Sequence, residues 1–207
     1  MPAQPKSAKT HSRLFAAGAS AGAALFAAFL VGFIPLLGQR IPVGVNWLVT
    51  LFDLNFRPLA TNASALSTFS LVDASILLLF GLLMACMYPV LRSASRTWAL
   101  IAVALPFVGV PVFLITATAG RSAVLLAGLI SSVLAFRRGF GAPATAVAGV
   151  LASATLLVLG DFATAALAPS LLIAFIIAVC YVLWTAWLLL IALELARKAR
   201  GVNQTGT

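Results

Sequence analysis

Long apolar runs separated by short polar stretches make up most of the 207-residue chain. The clearest run covers residues 171–193, which contain no charge, glycine or proline and lead into Glu194 and a basic group. About 20 apolar residues, at a rise of ~1.5 Å each, cross the ~30 Å hydrocarbon layer of a bilayer as a helix. The run therefore predicts a transmembrane helix with a basic stop at its end.

Five further runs repeat this pattern. We predict an all-α, polytopic membrane helical bundle, residues 14–196, whose six transmembrane helices cover about residues 14–37, 71–91, 98–117, 119–136, 143–160 and 171–195. Residues 1–13 are expected to be a disordered N-terminal arm, and residues 197–207 a tail. The first run is too long for a signal peptide, whose apolar part has ~7–15 residues. The fourth is the shortest, so five spans or a re-entrant fourth segment is the alternative.

The longest connection, residues 38–70, holds a short amphipathic stretch at residues 45–56. On a helical wheel Asn46, Thr50 and Asp53 share one side, and apolar residues occupy most of the remainder. Twelve residues are too few to span a bilayer. The stretch is predicted to be an interfacial helix in an extracytoplasmic loop, or a lid over the mouth of the bundle.

Composition supports a lipid environment. The chain is 63% hydrophobic and 8% charged, with a mean hydropathy of +1.14. A soluble domain has roughly 25% charged residues, and one of this composition would expose large apolar patches. The bias towards Ala, Val, Leu and Arg is typical of bacterial proteins. We expect a multi-pass protein of a bacterial cell membrane, with the lipid bilayer and other membrane subunits as its partners.

The net charge of +9 comes from 13 Lys and Arg residues against 4 Asp and Glu residues. With six spans, ten basic residues fall on one side of the membrane and three, Arg40, Arg57 and Arg121, on the other. Basic residues are retained in the cytoplasm, so both termini are expected there. The positive charge is explained by its role in fixing the orientation of the chain in the membrane, and no nucleic-acid partner is expected.

Gly18 and Gly22 lie four residues apart in the small-residue first helix. This spacing allows membrane helices to approach closely. It predicts helix packing, either inside the bundle or across a dimer face.

Three ionisable residues stand at the outer ends of predicted helices: Asp73, Arg121 and Asp161. Charge at membrane depth is costly unless it is paired or hydrated, which makes these residues a candidate polar or gating cluster. An Asp73–Arg121 ion pair could close an outward gate or hold a polar solute. Alternatively, all three lie among the headgroups, where Asp73 favours the start of its helix and Arg121 snorkels.

The third predicted helix contains Pro106, Gly109 and Pro111, which form a candidate helix break. Each proline removes a backbone donor and crowds the preceding turn, so a kink or partial unwinding is expected. Transporters bind solutes at broken helices, but proline and glycine are also common in membrane helices without that role.

Catalytic constellations are missing from the sequence. The single histidine, His11, lies in the polar arm, and no HExxH, Walker or dinucleotide-binding motif occurs. Cys86 and Cys180 fall within apolar runs and are expected to be inert buried thiols. Glu194 is expected to pair with Lys198 on the helix surface. We predict no enzymatic activity, no metal and no cofactor.

In gross architecture the chain resembles the substrate-binding subunits of energy-coupling-factor vitamin importers, with six helices, both ends inside and a first helix rich in small residues. The resemblance implies binding of a small solute, but no substrate-specific motif of that group occurs here. Our first hypothesis is a non-catalytic structural or accessory membrane component. The alternative is a small-solute permease or transporter subunit of unknown substrate, and an intramembrane enzyme is the weakest candidate.

Overall fold

The computed structural model describes residues 6–38, 63–115, 117–165 and 171–204, with the side chains of residues 10–30, 75–112, 120, 122–159, 175–176 and 179–201. This part of the chain forms six helices and no strand, which confirms the predicted all-α class. The helices are α1 (Lys6–Gly38), α2 (Ala63–Leu91), α3 (Arg96–Ile115), α4 (Ala117–Arg138), α5 (Pro143–Ala165) and α6 (Leu171–Gln204).

Three helix ends differ from the prediction by eight or nine residues. Helix α1 begins at Lys6, so the expected disorder of residues 1–13 is wrong from Lys6 onward. Helix α6 continues to Gln204 through most of the predicted tail, and α2 begins at Ala63, inside the predicted loop 38–70. Apolar runs miss the ends of α1 and α6 because alanine, lysine and arginine there favour a helix beyond its apolar part. The amphipathic stretch 45–56 lies outside the described residues.

The six helices close into a ring. Each helix packs against the next one along the chain, α6 returns to pack against α1, and α2 also reaches α4. The short turns between α2 and α3 and between α4 and α5 make these neighbours antiparallel. The N-terminal end of α1 and the C-terminal end of α6 join the same end of the ring, because Ser12 Oγ donates a hydrogen bond to the carbonyl oxygen of Ala199 at 3.1 Å.

Local sequence explains the turns at this end. Ser95 caps α3 by accepting a hydrogen bond from the backbone N–H of Trp98 at 3.5 Å. Helix α4 ends where Gly139 adopts a φ of 61°, a left-handed conformation that glycine tolerates best. The next N–H, that of Phe140, then reaches back to the carbonyl oxygen of Ala135 at 2.9 Å. Pro143 opens α5, where its missing N–H costs nothing.

An aromatic stack joins α2 to α6 in the middle of the ring. The rings of Phe80 and Trp184 stack with their centroids 5.6 Å apart, and those of Trp184 and Trp187 with theirs 4.8 Å apart. All three side chains are buried. The core therefore depends on contacts between helices that are far apart in the sequence.

The outside of the ring is apolar on every helix. Large apolar side chains are exposed on all six: Leu14 and Leu30 on α1; Leu78 and Leu82 on α2; Trp98, Leu100, Phe107 and Val108 on α3; Leu126 and Phe136 on α4; Val147, Leu151 and Val158 on α5; and Phe175, Val179, Val182, Leu190 and Leu193 on α6.

Two helical segments among the described residues are long and apolar enough to cross a membrane, Thr10–Leu30 and Val179–Gly201. Three further apolar segments are shorter: Ser75–Leu91, Arg96–Val112 and Pro143–Leu159. Core helices of soluble proteins and signal sequences have similar lengths and compositions. The two segments thus suggest membrane association without fixing how many times the chain crosses.

Candidate functional site

Five of the six buried serine and threonine side chains among the described residues lie on α4, α5 and α6. Two of them, Ser132 and Ser153, belong to a group that we call the Trp–Ser cluster; it also comprises Trp184 and Trp187, together with the glycines Gly128 and Gly149. A Cβ atom on Gly128 would lie 2.5 Å from Cζ3 of Trp184 and 3.1 Å from Oγ of Ser153. A Cβ atom on Gly149 would overlap Oγ of Ser132 and Nε1 of Trp187. The missing glycine side chains thus make room for both indoles.

Several polar atoms of the cluster have no hydrogen-bond partner among the described residues. These are Oγ of Ser132, Oγ of Ser153 and Nε1 of Trp187, all on fully buried side chains. Neighbouring hydroxyls are satisfied locally: Oγ of Ser131 donates to the carbonyl oxygen of Gly128, and Oγ1 of Thr185 to that of Tyr181, both at 2.9 Å. Chemically the cluster offers hydrogen bonds but no acid or base near neutral pH.

The sequence alone does not predict this cluster. The sequence pattern that accompanies the cluster is a pair of small residues four apart on each of two helices, Gly128 with Ser132 and Gly149 with Ser153. Small residues at this spacing mark close helix approach. Such pairs are frequent in Ala-rich helices, and only the folded chain shows which of them face a tryptophan.

The predicted outer cluster is placed only by its backbone, because the side chains of Asp73, Arg121 and Asp161 lie outside the described ones. Their helices start or end together at the end of the ring that carries the short turns, at Leu91, Arg138 and Pro143. Counted from there at ~1.5 Å per residue, all three positions lie about 26–27 Å away. They share one level on helices that touch, since α4 contacts both α2 and α5. An ion pair between Asp73 and Arg121 stays a prediction.

Helix α3 is continuous from Arg96 to Ile115, with both Pro106 and Pro111 inside it. Pro106 is fully buried, whereas Pro111 is exposed. A Cβ atom on Gly109 would lie 3.2 Å from Cβ of Ala123 and 3.3 Å from the carbonyl oxygen of Gly120, so this glycine faces α4. The segment takes part in helix packing, and its use as a solute site stays a prediction.

Gly18 and Gly22 both face other helices of the same chain. A Cβ atom on Gly18 would lie 2.6 Å from Cβ of Cys86 on α2, and one on Gly22 would lie 2.9 Å from Cβ of Ala192 on α6. The structure thus places both glycines at contacts inside the bundle, the first of the two arrangements predicted for this pair.

Basic side chains concentrate at the end of the ring that carries the short turns. Eight are described there and all are exposed: Arg13, Arg92, Arg96, Arg137, Arg138, Arg197, Lys198 and Arg200. Nε of Arg138 donates to Oγ of Ser93 at 2.5 Å, which links α4 to the turn before α3.

The predicted pairing of Glu194 with Lys198 is wrong, because Oε1 of Glu194 accepts from Arg197 at 2.8 Å. The Lys198 ammonium instead lies 5.4 Å from the centre of the Phe140 ring.

The described side chains contain no group of three His, Cys, Asp or Glu residues that could hold a metal ion. Cys86 and Cys180 are free and buried. Comparisons of the chain with protein-family models, with curated proteins and with solved structures found no match.

Proposed function

We propose that this chain is a six-span integral protein of the cell membrane, with both termini on the cytoplasmic side, and that it acts as a non-catalytic structural or accessory component. The observation that carries the proposal is the apolar outer surface of the ring, found on the described part of every helix. In water such a continuous surface would drive aggregation, whereas hydrocarbon is its natural solvent.

The distribution of polar groups supports the same arrangement. Six described serine and threonine side chains are buried in the bundle, while large apolar side chains are exposed on every helix. Membrane helices use small and hydroxylated residues at their contacts because lipid already solvates the apolar ones. The eight basic side chains that the structure describes all lie at one end, as expected for the side that stays in the cytoplasm.

An accessory rather than catalytic role is favoured by what fills the centre. Phe80, Trp184 and Trp187 occupy the middle of the ring, where a solute path or a reaction centre would need convergent polar groups. The hydroxyls beside them neither ionise near neutral pH nor coordinate a catalytic metal by themselves. A packed interior suits a protein that functions through contacts of its outer surface with lipid or with other membrane subunits.

Carbonate extraction and labelling with a membrane-impermeant thiol reagent test this proposal. After replacing Cys86 and Cys180 with alanine, we expect Asn62→Cys to be labelled in intact cells. Ala142→Cys and Gly201→Cys should be labelled only after lysis. Release of the protein by carbonate without detergent would refute membrane integration. Labelling of Gly201→Cys in intact cells would refute the number of crossings.

A second candidate, a small-solute permease or transporter subunit, is favoured by one observation. The backbone positions of Asp73, Arg121 and Asp161 share a level on touching helices, at about the depth where the hydrocarbon layer ends. Charges at that depth could gate an outward-facing solute path. Solute uptake into liposomes containing the purified protein, abolished by Asp73→Asn, would favour this candidate over the first.

A further inference from the structure

Four exposed arginines lie on two adjacent connections at the basic end of the ring, and we call them the arginine patch: Arg92, Arg96, Arg137 and Arg138. The hydrogen bond from Arg138 to Ser93 joins the last turn of α4 to the turn between α2 and α3. That contact brings the two connections together: Arg92 directly precedes Ser93, Arg96 follows it by three residues, and Arg137 is next to Arg138. The guanidinium of Arg92 lies 6.0 Å from the centre of the Tyr88 ring, which helps to hold it at the end of α2.

No described carboxylate balances this patch. Glu194 is the one acidic residue whose side chain is described, and it is engaged by Arg197 on α6. Four like charges on two adjacent connections repel one another unless anions from outside the chain lie among them. Arginine also presents a planar fork of donors that matches the oxygens of a phosphate group.

Exposed aromatic side chains flank the arginines. Trp98 follows Arg96 on α3 and is 53% exposed, and Phe136 precedes Arg137 on α4 and is 55% exposed. Leu100 and Phe107, four and eleven residues after Arg96, share its side of α3 and are also exposed. A water-soluble anion would gain nothing from this apolar track, whereas a phospholipid would place its phosphate among the arginines and its acyl chains along α3.

We propose that the arginine patch is a binding site for the headgroup of an anionic phospholipid in the cytoplasmic leaflet. The inference rests on the proposed membrane location, and it goes beyond it by assigning a lipid class to one part of the basic end. Positive charge alone is enough to keep basic residues on the cytoplasmic side of a membrane. A lipid site needs more, and the patch has two adjacent connections, the Arg138–Ser93 contact and the exposed rings of Trp98 and Phe136.

Titration of phosphatidylglycerol and phosphatidylcholine into the delipidated, detergent-purified protein, followed by native mass spectrometry, tests the site. We expect the wild-type protein to bind the first phosphatidylglycerol at least about fivefold more tightly than phosphatidylcholine. The variant Arg96→Gln/Arg137→Gln should lose most of this preference. Its matched control, Arg13→Gln/Arg200→Gln, removes two exposed charges from the same end on the α1–α6 side of the ring and should keep it.

Equal loss in both double variants would reduce the patch to general surface charge and overturn the proposal, as would unchanged preference in both. Full displacement of the lipid by soluble glycerol phosphate would overturn the role of the apolar track. Melting temperatures of both variants, measured in parallel, exclude unfolding as the cause of a loss. A wild-type protein that stays in carbonate-washed membranes yet lacks the preference refutes this inference alone; one that leaves the membranes refutes the proposed function first.

Discussion

Cδ1 of Trp187 lies 2.6 Å from the point that a Cβ atom of Gly149 would occupy, so the backbone of α5 touches an indole of α6 without an intervening side chain. The same relationship holds between Gly128 on α4 and Trp184 one turn away on α6. Two glycines on separate helices thus receive the two tryptophans of one helix. The stack that fills the ring depends on both.

Substituting Gly149 with alanine should destabilise the protein by about 1–3 kcal/mol, because the added methyl group overlaps Ser132 and Trp187 and the helices must separate. Thermal unfolding in detergent measures the effect. Gly201→Ala on α6 is the control: nothing lies within 4 Å of its added methyl group, and it should be neutral or slightly stabilising. Equal melting temperatures for the two variants would show that α5 and α6 are not in contact at Gly149.

Replacing Phe80 with alanine should cost about 3–5 kcal/mol, because it removes one member of the buried aromatic stack and leaves a cavity beside Trp184. The same substitution at Phe175, which is 64% exposed, should change stability by less than about 1 kcal/mol. Reversible unfolding in mixed micelles provides both values. If the Phe175 variant were the less stable one, the inside and outside of the ring would be exchanged.

Gly22→Val should weaken the contact between α1 and α6, since even a Cβ atom at this position lies 2.9 Å from Cβ of Ala192. We expect a loss of about 1–3 kcal/mol from overpacking. Ala24→Val on the exposed face of α1 is the control and should be nearly neutral. Proteolysis of the purified protein reports the separation of α1 as faster cleavage. Equal cleavage rates in the two variants would argue against this interface.

Ser132→Ala and Ser153→Ala should be neutral or stabilising by up to about 1 kcal/mol, because each removes a buried hydroxyl that has no described hydrogen-bond partner. Ser131→Ala should be slightly destabilising, because its hydroxyl donates to the carbonyl oxygen of Gly128. Melting temperatures of the three variants decide the order. Marked destabilisation by the first two would indicate that their hydroxyls hold a polar ligand, which would favour the transporter over the accessory role.

Exchange of the charges at Asp73 and Arg121 tests the predicted ion pair. If the two side chains meet at the shared level of their backbones, Asp73→Arg and Arg121→Asp should each lower the yield of folded protein, and the double variant should restore most of it. Size-exclusion chromatography of the detergent extracts quantifies the folded fraction. A double variant no better than either single variant would leave both charges as independent headgroup contacts.

The six helices of the described residues could be predicted from the sequence because apolar runs and polar breaks alternate clearly. Their arrangement could not. Helices that are apolar all round carry no periodicity to mark an inward face, so nothing in the sequence of α6 distinguishes buried Trp187 from exposed Val182. The close approach at Gly149 could not be predicted either, because its partner Trp187 lies on another helix, almost forty residues away. The distribution of basic residues along the sequence predicts that the arginines gather at one end. The hydrogen bond from Arg138 to Ser93 could not be predicted, because it joins connections that only the fold brings together.

The hydrogen bond from Ser12 to Ala199 has a practical consequence for protein engineering. From this contact α1 and α6 run on side by side, each by about 8–9 Å, to Lys6 and Gln204. A short peptide linker could therefore join the two ends of the described chain and make the ring of helices covalently continuous. New termini could then be opened in the α4–α5 turn at Ala142, which is exposed and lies at the same end. Such a circular permutant should retain the six-helix ring.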